Sequence, residues 1–132
     1  MIVRDSARTL PDCLATIRPW ADDLVVVDTG SIDDTRAIAT SFGARVFDFP
    51  WIDDFSAARN VSLSHAIGQW IFWMDSDDTI DELNGQRLRA LARTAVSTDV
   101  LGFVMQVHCP ATADKSSHEM TVVDHVLAQF DI

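Results

Sequence analysis

Trp70-Ile71-Phe72-Trp73-Met74-Asp75-Ser76-Asp77-Asp78 is the stretch whose reading decides the fold. Five apolar residues run straight into a group of carboxylates. The run has the length of a strand and no polar alternation, so it predicts a strand buried on both faces, in a sheet covered by helices. Acids placed where such a strand stops fall at the carboxyl edge of the sheet, where open α/β sheets bind ligands. If the chain stays extended through Ser76, the period of two aims Asp75 and Asp77 the same way. Two carboxylates on one side suit a hard divalent cation; Mg²⁺ takes one or two and completes its shell with water and substrate phosphates. The stretch therefore predicts a metal–diphosphate site.

Working outward, the neighbouring segments alternate. Met1 to Val3 reads as the tail of a strand. Thr9 stands where it can cap a helix, with Pro11 in the first turn and Leu10, Cys13, Leu14 and Ile17 on one face; Pro19 ends it. Leu24 to Val27 is a second buried strand ending at Asp28, followed by the tight turn Thr29-Gly30-Ser31. Ser31 or Asp33 is placed to cap the next helix, which Gly43 closes. Ala44 to Phe49 is a third strand, and Phe55 to Ile67 a helix rich in small residues. Asp81 is placed to cap a helix carrying Leu88, Leu91, Ala92 and Ala95. Val100 to Val107 is a further strand, and Thr121 to Ile132 one more. Strand and helix in turn predict an α/β/α sandwich with a mostly parallel sheet.

The 132 residues are 48% apolar, enough for one domain with a core. No apolar run approaches a membrane span and nothing at the amino end resembles a signal peptide, so a cytoplasmic location is the default expectation. A formal charge of −10 without a basic stripe argues against nucleic acid as a partner. An acidic chain that binds an anionic nucleotide needs a metal bridge. Cys13 and Cys109 form no CxxC pair and read as free buried thiols.

The single residues leave alternatives open. Asp28 can accept a hydrogen bond from a base or ribose, or can cap its own turn. Arg59 can neutralise a diphosphate or reach a base edge, or can pair with Asp53 or Asp54. An EF-hand fails, because Ile80 stands where the loop needs Gly and Gln86 where it needs a bidentate Glu. No GxGxxG or P-loop pattern occurs.

Together these pieces resemble family-2 glycosyltransferases of the GT-A fold. The resemblance runs through Met1 to Asp5, Val25 to Thr35, Trp51-Ile52-Asp53-Asp54-Phe55-Ser56-Ala57-Ala58-Arg59-Asn60, Gly68-Gln69-Trp70 and Asp75 to Asp78. The wording of the "DDFSAARN" and "MDSDD" motifs is most similar to a bacterial subgroup often joined to tetratricopeptide repeats. The resemblance implies a nucleotide-sugar donor, often UDP-linked, with Mg²⁺ or Mn²⁺, and transfer with inversion to a glycan, lipid or protein acceptor. It implies Val3, Asp5, Asp28, Arg59, Asp75 and Ser76 as donor-binding residues, with Asp28 on the base. It implies Asp77 and Asp75 as metal ligands.

Asp5 and Ser6 stand where the family usually has Asn and Glu. The family's first strand begins before the position of Met1, and its general base comes from a motif beyond this chain. The expectation is a single donor-binding domain over residues 1–132, truncated at both ends, with self-association through an incomplete sheet edge. The alternative is an inactive nucleotide-binding or interaction fragment. A sugar-nucleotide-forming nucleotidyltransferase is disfavoured, since Met1 to Ala7 lacks the Gly- and Lys-containing loop of those enzymes.

Overall fold

The computed structural model describes residues 1–94, 102–108 and 122–129. Its elements follow the order β1 (Ile2–Val3), α1 (Leu10–Ile17), β2 (Val25–Asp28), α2 (Thr35–Ser41), β3 (Arg45–Asp48), α3 (Phe55–Ser64), β4 (Trp70–Phe72), α4 (Glu82–Thr94), β5 (Gly102–His108) and β6 (Val122–Gln129). β1, β2 and β3 form a parallel sheet with β2 in the middle, in the register Val3 to Asp28 and Asp28 to Asp48. β4, β6 and β5 form a second, antiparallel sheet. The α/β alternation is as expected, and among the described residues parallel pairing is confined to the first half of the chain.

β2 shows why both faces of the parallel sheet must be covered. Val26 and Val27 point to opposite sides, and both are buried, at 1% and 0% exposure. Val26 joins the main core with Leu10, Cys13, Leu14 and Ile17 of α1, Ala39 of α2 and Leu88 of α4. α3 packs against β1 and β2, and its Ala58 and Ser62 are buried. Small residues at these positions let the helix backbone approach the strands.

The apolar run differs from its expected burial. Trp70, Ile71 and Phe72 are half-buried, and Met74 is the buried residue. The reason is an open groove of about 590 Å³, lined by Trp70, Phe72, Met74, Trp20 and Leu88 among others. Helix ends also differ from the reading. Thr9 occupies the N-cap of α1 without a side-chain bond; the Ser6 carbonyl accepts from the Thr9 and Leu10 amides instead. α3 stops at Ser64, before Gly68. Asp81 does cap α4, its Oδ1 accepting from the Asn84 amide at 2.8 Å. Among the described residues no helix is long and apolar enough to cross a membrane.

Candidate functional site at the carboxyl edge

Asp28 is the last residue of β2 and is 2% exposed. Its Oδ1 accepts from the amides of Gly30 at 3.0 Å and Ser31 at 2.9 Å. The turn-capping role is therefore real. Gly30 makes it possible, since the turn needs φ +107° there. The second carboxylate oxygen, Oδ2, is buried without a partner. Burial pushes the Asp28 pKa up, but the Ser31 side chain, the two amides and nearby Arg36 together outweigh it and hold the group below its ordinary value. The carboxylate thus stays charged, with one oxygen spent on the turn and one able to accept. Arg36, which pairs with Asp48, sits 3.8 Å from Oδ1.

The loop after β1 is fastened to the loop after β2. Asp5, in the left-handed region at φ 47°, donates its amide to Ser31 Oγ at 2.9 Å and accepts from the Ile32 amide at 2.8 Å. The Ser6 amide donates to Thr35 Oγ1, and the Ala7 amide to Asp33 Oδ2. Ser31 is thus engaged across the loops and does not cap α2. Asp34 occupies the N-cap position without a side-chain bond, while Asp33 Oδ1 accepts from the Thr35 amide. Val3 is buried, and its carbonyl accepts from both the amide and the hydroxyl of Thr29.

The acidic group follows β4 as a turn, and this corrects the extended path expected through Ser76. β4 ends at Phe72. The Asp78 amide donates to the Asp75 carbonyl at 3.2 Å, and the Asp75 amide donates to Asp78 Oδ2 at 3.0 Å. Strand alternation therefore does not set the directions of Asp75 and Asp77. Both are exposed. Asp78 is the turn-former.

The same turn is docked on α1 and the β1 loop. Cys13 Sγ donates to the Asp75 carbonyl at 3.3 Å, Ser76 Oγ donates to Ser6 Oγ, and the Ile80 amide donates to Thr16 Oγ1. Cys13 is free and buried. Burial first, then the Asp78 carboxylate, push its thiol up to about 12, so it serves as a neutral donor. Cys109 lies outside the described residues.

Arg59 reaches this turn from α3. Its Nη2 lies 4.0 Å from Asp75 Oδ1, and its guanidinium sits 4.7 Å from the Trp73 ring centre. The two acids of the rival pairing are engaged elsewhere. Asp53 Oδ1 accepts from Trp51 Nε1 at 2.7 Å, and Asp54 caps α3 through the Ala57 amide. The sequence reading treats Trp73 only as part of the apolar run; the available signal is a large aromatic side chain between a strand end and an acid.

His65 stacks on Phe47 at 3.6 Å, and Asp124 and His125 lie within β6 opposite Gln106 and Met105.

A sheet edge that gathers buried Asp28, the Asp5 loop, an acidic turn and an arginine has the layout of a GT-A glycosyltransferase, and similar solved structures are of that kind. Glucosyl-3-phosphoglycerate synthase from Mycobacterium tuberculosis, in complex with uridine diphosphate, superposes with a TM-score of 0.52 and 28% identity. The match covers 58% of this chain and 32% of that one. S. aureus TarS 1-349 shares the fold at a TM-score of 0.61 and 22% identity, over 70% of this chain and 30% of that one.

The chain belongs to glycosyl transferase family 2, whose model matches residues 1–125. A TPR repeat-containing protein of Synechococcus elongatus is 51% identical over 80 residues, 61% of this chain and 20% of that protein. Glycosyltransferase SunS of Bacillus subtilis is 29% identical over 101 residues, 70% of this chain and 22% of that protein. The chain thus spans about a fifth of the length of these two relatives.

Proposed function

We propose that this chain binds a nucleoside-diphosphate sugar at the carboxyl edge of β1, β2 and β4, as the donor-binding part of an inverting, metal-dependent glycosyltransferase. The observation that carries the reading is Asp28 Oδ2, an acceptor buried without a partner. A carboxylate held charged can accept from an N–H donor such as the imide of uracil. Leaving such a group unpaired is costly, so a ligand that supplies the missing donor gains correspondingly. The glucosyl-3-phosphoglycerate synthase structure with uridine diphosphate supports a uridine nucleotide.

Arg59 projects from the adjacent helix with Asp75 beside it, placed to meet the negative charge of a diphosphate. A divalent cation suits the same turn. Asp75 and Asp77 are exposed hard-oxygen donors, and among the described residues no group of three or more His, Cys, Asp or Glu side chains is arranged to hold a metal ion. A two-carboxylate set of this kind fits Mg²⁺ or Mn²⁺, which leave coordination sites for phosphate and water. Asp77 and Asp75 would hold the ion, which when bound neutralises charge on the departing diphosphate. A complex of the same synthase with Mn²⁺ and UDP-glucose supports this choice. Asp28 and the Asp5–Ser31 loop pair orient the nucleoside, and Ser6 and Thr16 hold the acidic turn in place.

Calorimetry with uridine diphosphate and Mn²⁺ tests the reading. Binding is expected, and is expected to be lost with chelator or with Asp77→Ala. Binding that is indifferent to both would reject the metal-bridged site, and no binding at all would reject the donor site. Binding of UDP-sugar without transfer or hydrolysis would favour a nucleotide-binding module over an enzyme.

A further inference from the structure

We propose that Trp73 is a positioning residue for Arg59: its indole face holds the guanidinium plane so that the N–H edges are presented to the donor's diphosphate. The inference rests on the donor-site reading above and assigns a role that reading leaves unfilled. Trp73 lies one residue beyond the end of β4 and is half-buried. Arg59 projects from α3, and its guanidinium carbon lies 4.7 Å from the Trp73 ring centre. Its Nε is buried without a hydrogen-bond partner. Its Nη2 stands 4.0 Å from Asp75 Oδ1, beyond hydrogen-bond distance.

The guanidinium therefore lies over the indole with its Nε covered, and the Asp75 carboxylate, outside hydrogen-bond distance, does not claim its donors, although 43% of the side chain is exposed. A guanidinium on an aromatic face keeps its in-plane N–H groups available, because the ring contacts the plane and leaves the edge open. Holding a long side chain in its binding geometry before the ligand arrives lowers the ordering cost of binding. Trp73 also keeps the cation next to the acidic turn, where it offsets the repulsion between a diphosphate and a chain of formal charge −10.

The test measures UDP binding, with Mn²⁺ present, for the full chain and for Trp73→Leu, Trp73→Phe, Arg59→Ala and the Trp73→Leu/Arg59→Ala double variant. Trp73→Leu is expected to weaken UDP by about 3- to 30-fold, the span of a cation–π contact. Trp73→Phe, which keeps an aromatic face, recovers most of that loss. In the Arg59→Ala background Trp73→Leu costs nothing further, and binding of uridine without phosphate is the same in all variants. A second readout needs no nucleotide. The emission difference between the parent chain and Trp73→Phe isolates the Trp73 indole, and Arg59→Ala is expected to shift it.

Equal losses from Trp73→Leu with and without Arg59, or failure of Trp73→Phe to recover, overturn the proposal, as does an indole emission unmoved by Arg59→Ala. Parent binding of UDP that Trp73→Leu leaves intact overturns the positioning role alone. Absence of UDP binding in the parent chain removes the donor site and this role with it.

Discussion

Ser76 Oγ donates a hydrogen bond to Ser6 Oγ at 3.1 Å, joining the acidic turn to the loop after β1 across 70 residues of sequence. Ser6 is buried, and its hydroxyl passes the bond on to the Arg4 carbonyl. The two strand ends that flank the site are thus held in register by a chain of small hydroxyls. Ser6→Ala and Ser76→Ala are each expected to cost ~0.5–1.5 kcal/mol in urea unfolding. The double variant should cost less than their sum, since both remove the same bond. Strict additivity would show that the serines act separately.

Asp28→Asn separates the two oxygens of that carboxylate. Asn supports the same turn, so its side-chain oxygen can still accept from the Gly30 and Ser31 amides. Its NH₂ replaces the free acceptor with a donor. UDP, which presents an N–H to that position in the proposed site, should lose about 1.5–3 kcal/mol, a factor of about 10 to 150. CDP, which presents a ring acceptor, should be weakened less or gain. Competition calorimetry with the two nucleotides reads the switch, and an unchanged UDP-to-CDP preference would place the base elsewhere.

Gly85 lies within α4, where glycine costs about 1 kcal/mol relative to Ala by helix propensity. Propensity alone therefore predicts that Gly85→Ala stabilises. Packing reverses the sign. A Cβ at Gly85 would overlap Nε1, Cδ1 and Cε2 of the Trp20 indole. The indole is large and rigid, and the same helix is tied to that loop by Arg89, which pairs with Asp22 at 2.6 Å and donates to the Trp20 carbonyl. Overpacking of this kind costs ~1–3 kcal/mol. Gly85→Ala should lower Tm, and the added substitution Trp20→Leu should return part of the loss.

Much of this arrangement is legible in the sequence. The apolar run Leu24 to Val27, ending in an acid, places β2 and Asp28 correctly, because consecutive buried valines need cover on both faces. Arg59, which the family resemblance implies near the base or diphosphate, stands 4.0 Å from Asp75 of the acidic motif. What misleads is local. The period-2 argument for Asp75 and Asp77 requires an extended backbone, and Asp78 supplies a competing local bond that turns the chain. Spacing places Ser31 or Asp33 to cap α2; Asp5, from a distant segment, engages Ser31, and Asp33 accepts from the Thr35 amide. Trp73 and Gly85 owe their roles to tertiary neighbours, Arg59 and Trp20, that no local pattern encodes.

Acid should destabilise the fold through the same carboxylates that build its loops. The hydrogen bond from Thr35 chiefly holds Asp33 below its ordinary value, and those from Arg45 and Arg89 do so for Asp23 and Asp22. In Asp28, burial is outweighed by the Ser31 and Gly30 bonds, with the same net direction. For each, the folded pKa lies below the unfolded value of about 3.9. The unfolded chain then binds more protons in acid, so stability is fully present above that value and is lost as pH falls through the depressed folded values. Through these four carboxylates Tm should fall steeply below about 3.9; above that range the buried Met1 amine, pushed down to about 6, already lowers Tm as pH falls from 8 toward 6. Asp33→Asn, which also loses the charge that accepts from Ala7 across the two loops, should lower Tm at neutral pH and make the acid limb shallower. A Tm that rises as pH falls below about 3.9 would contradict the sign of all four shifts.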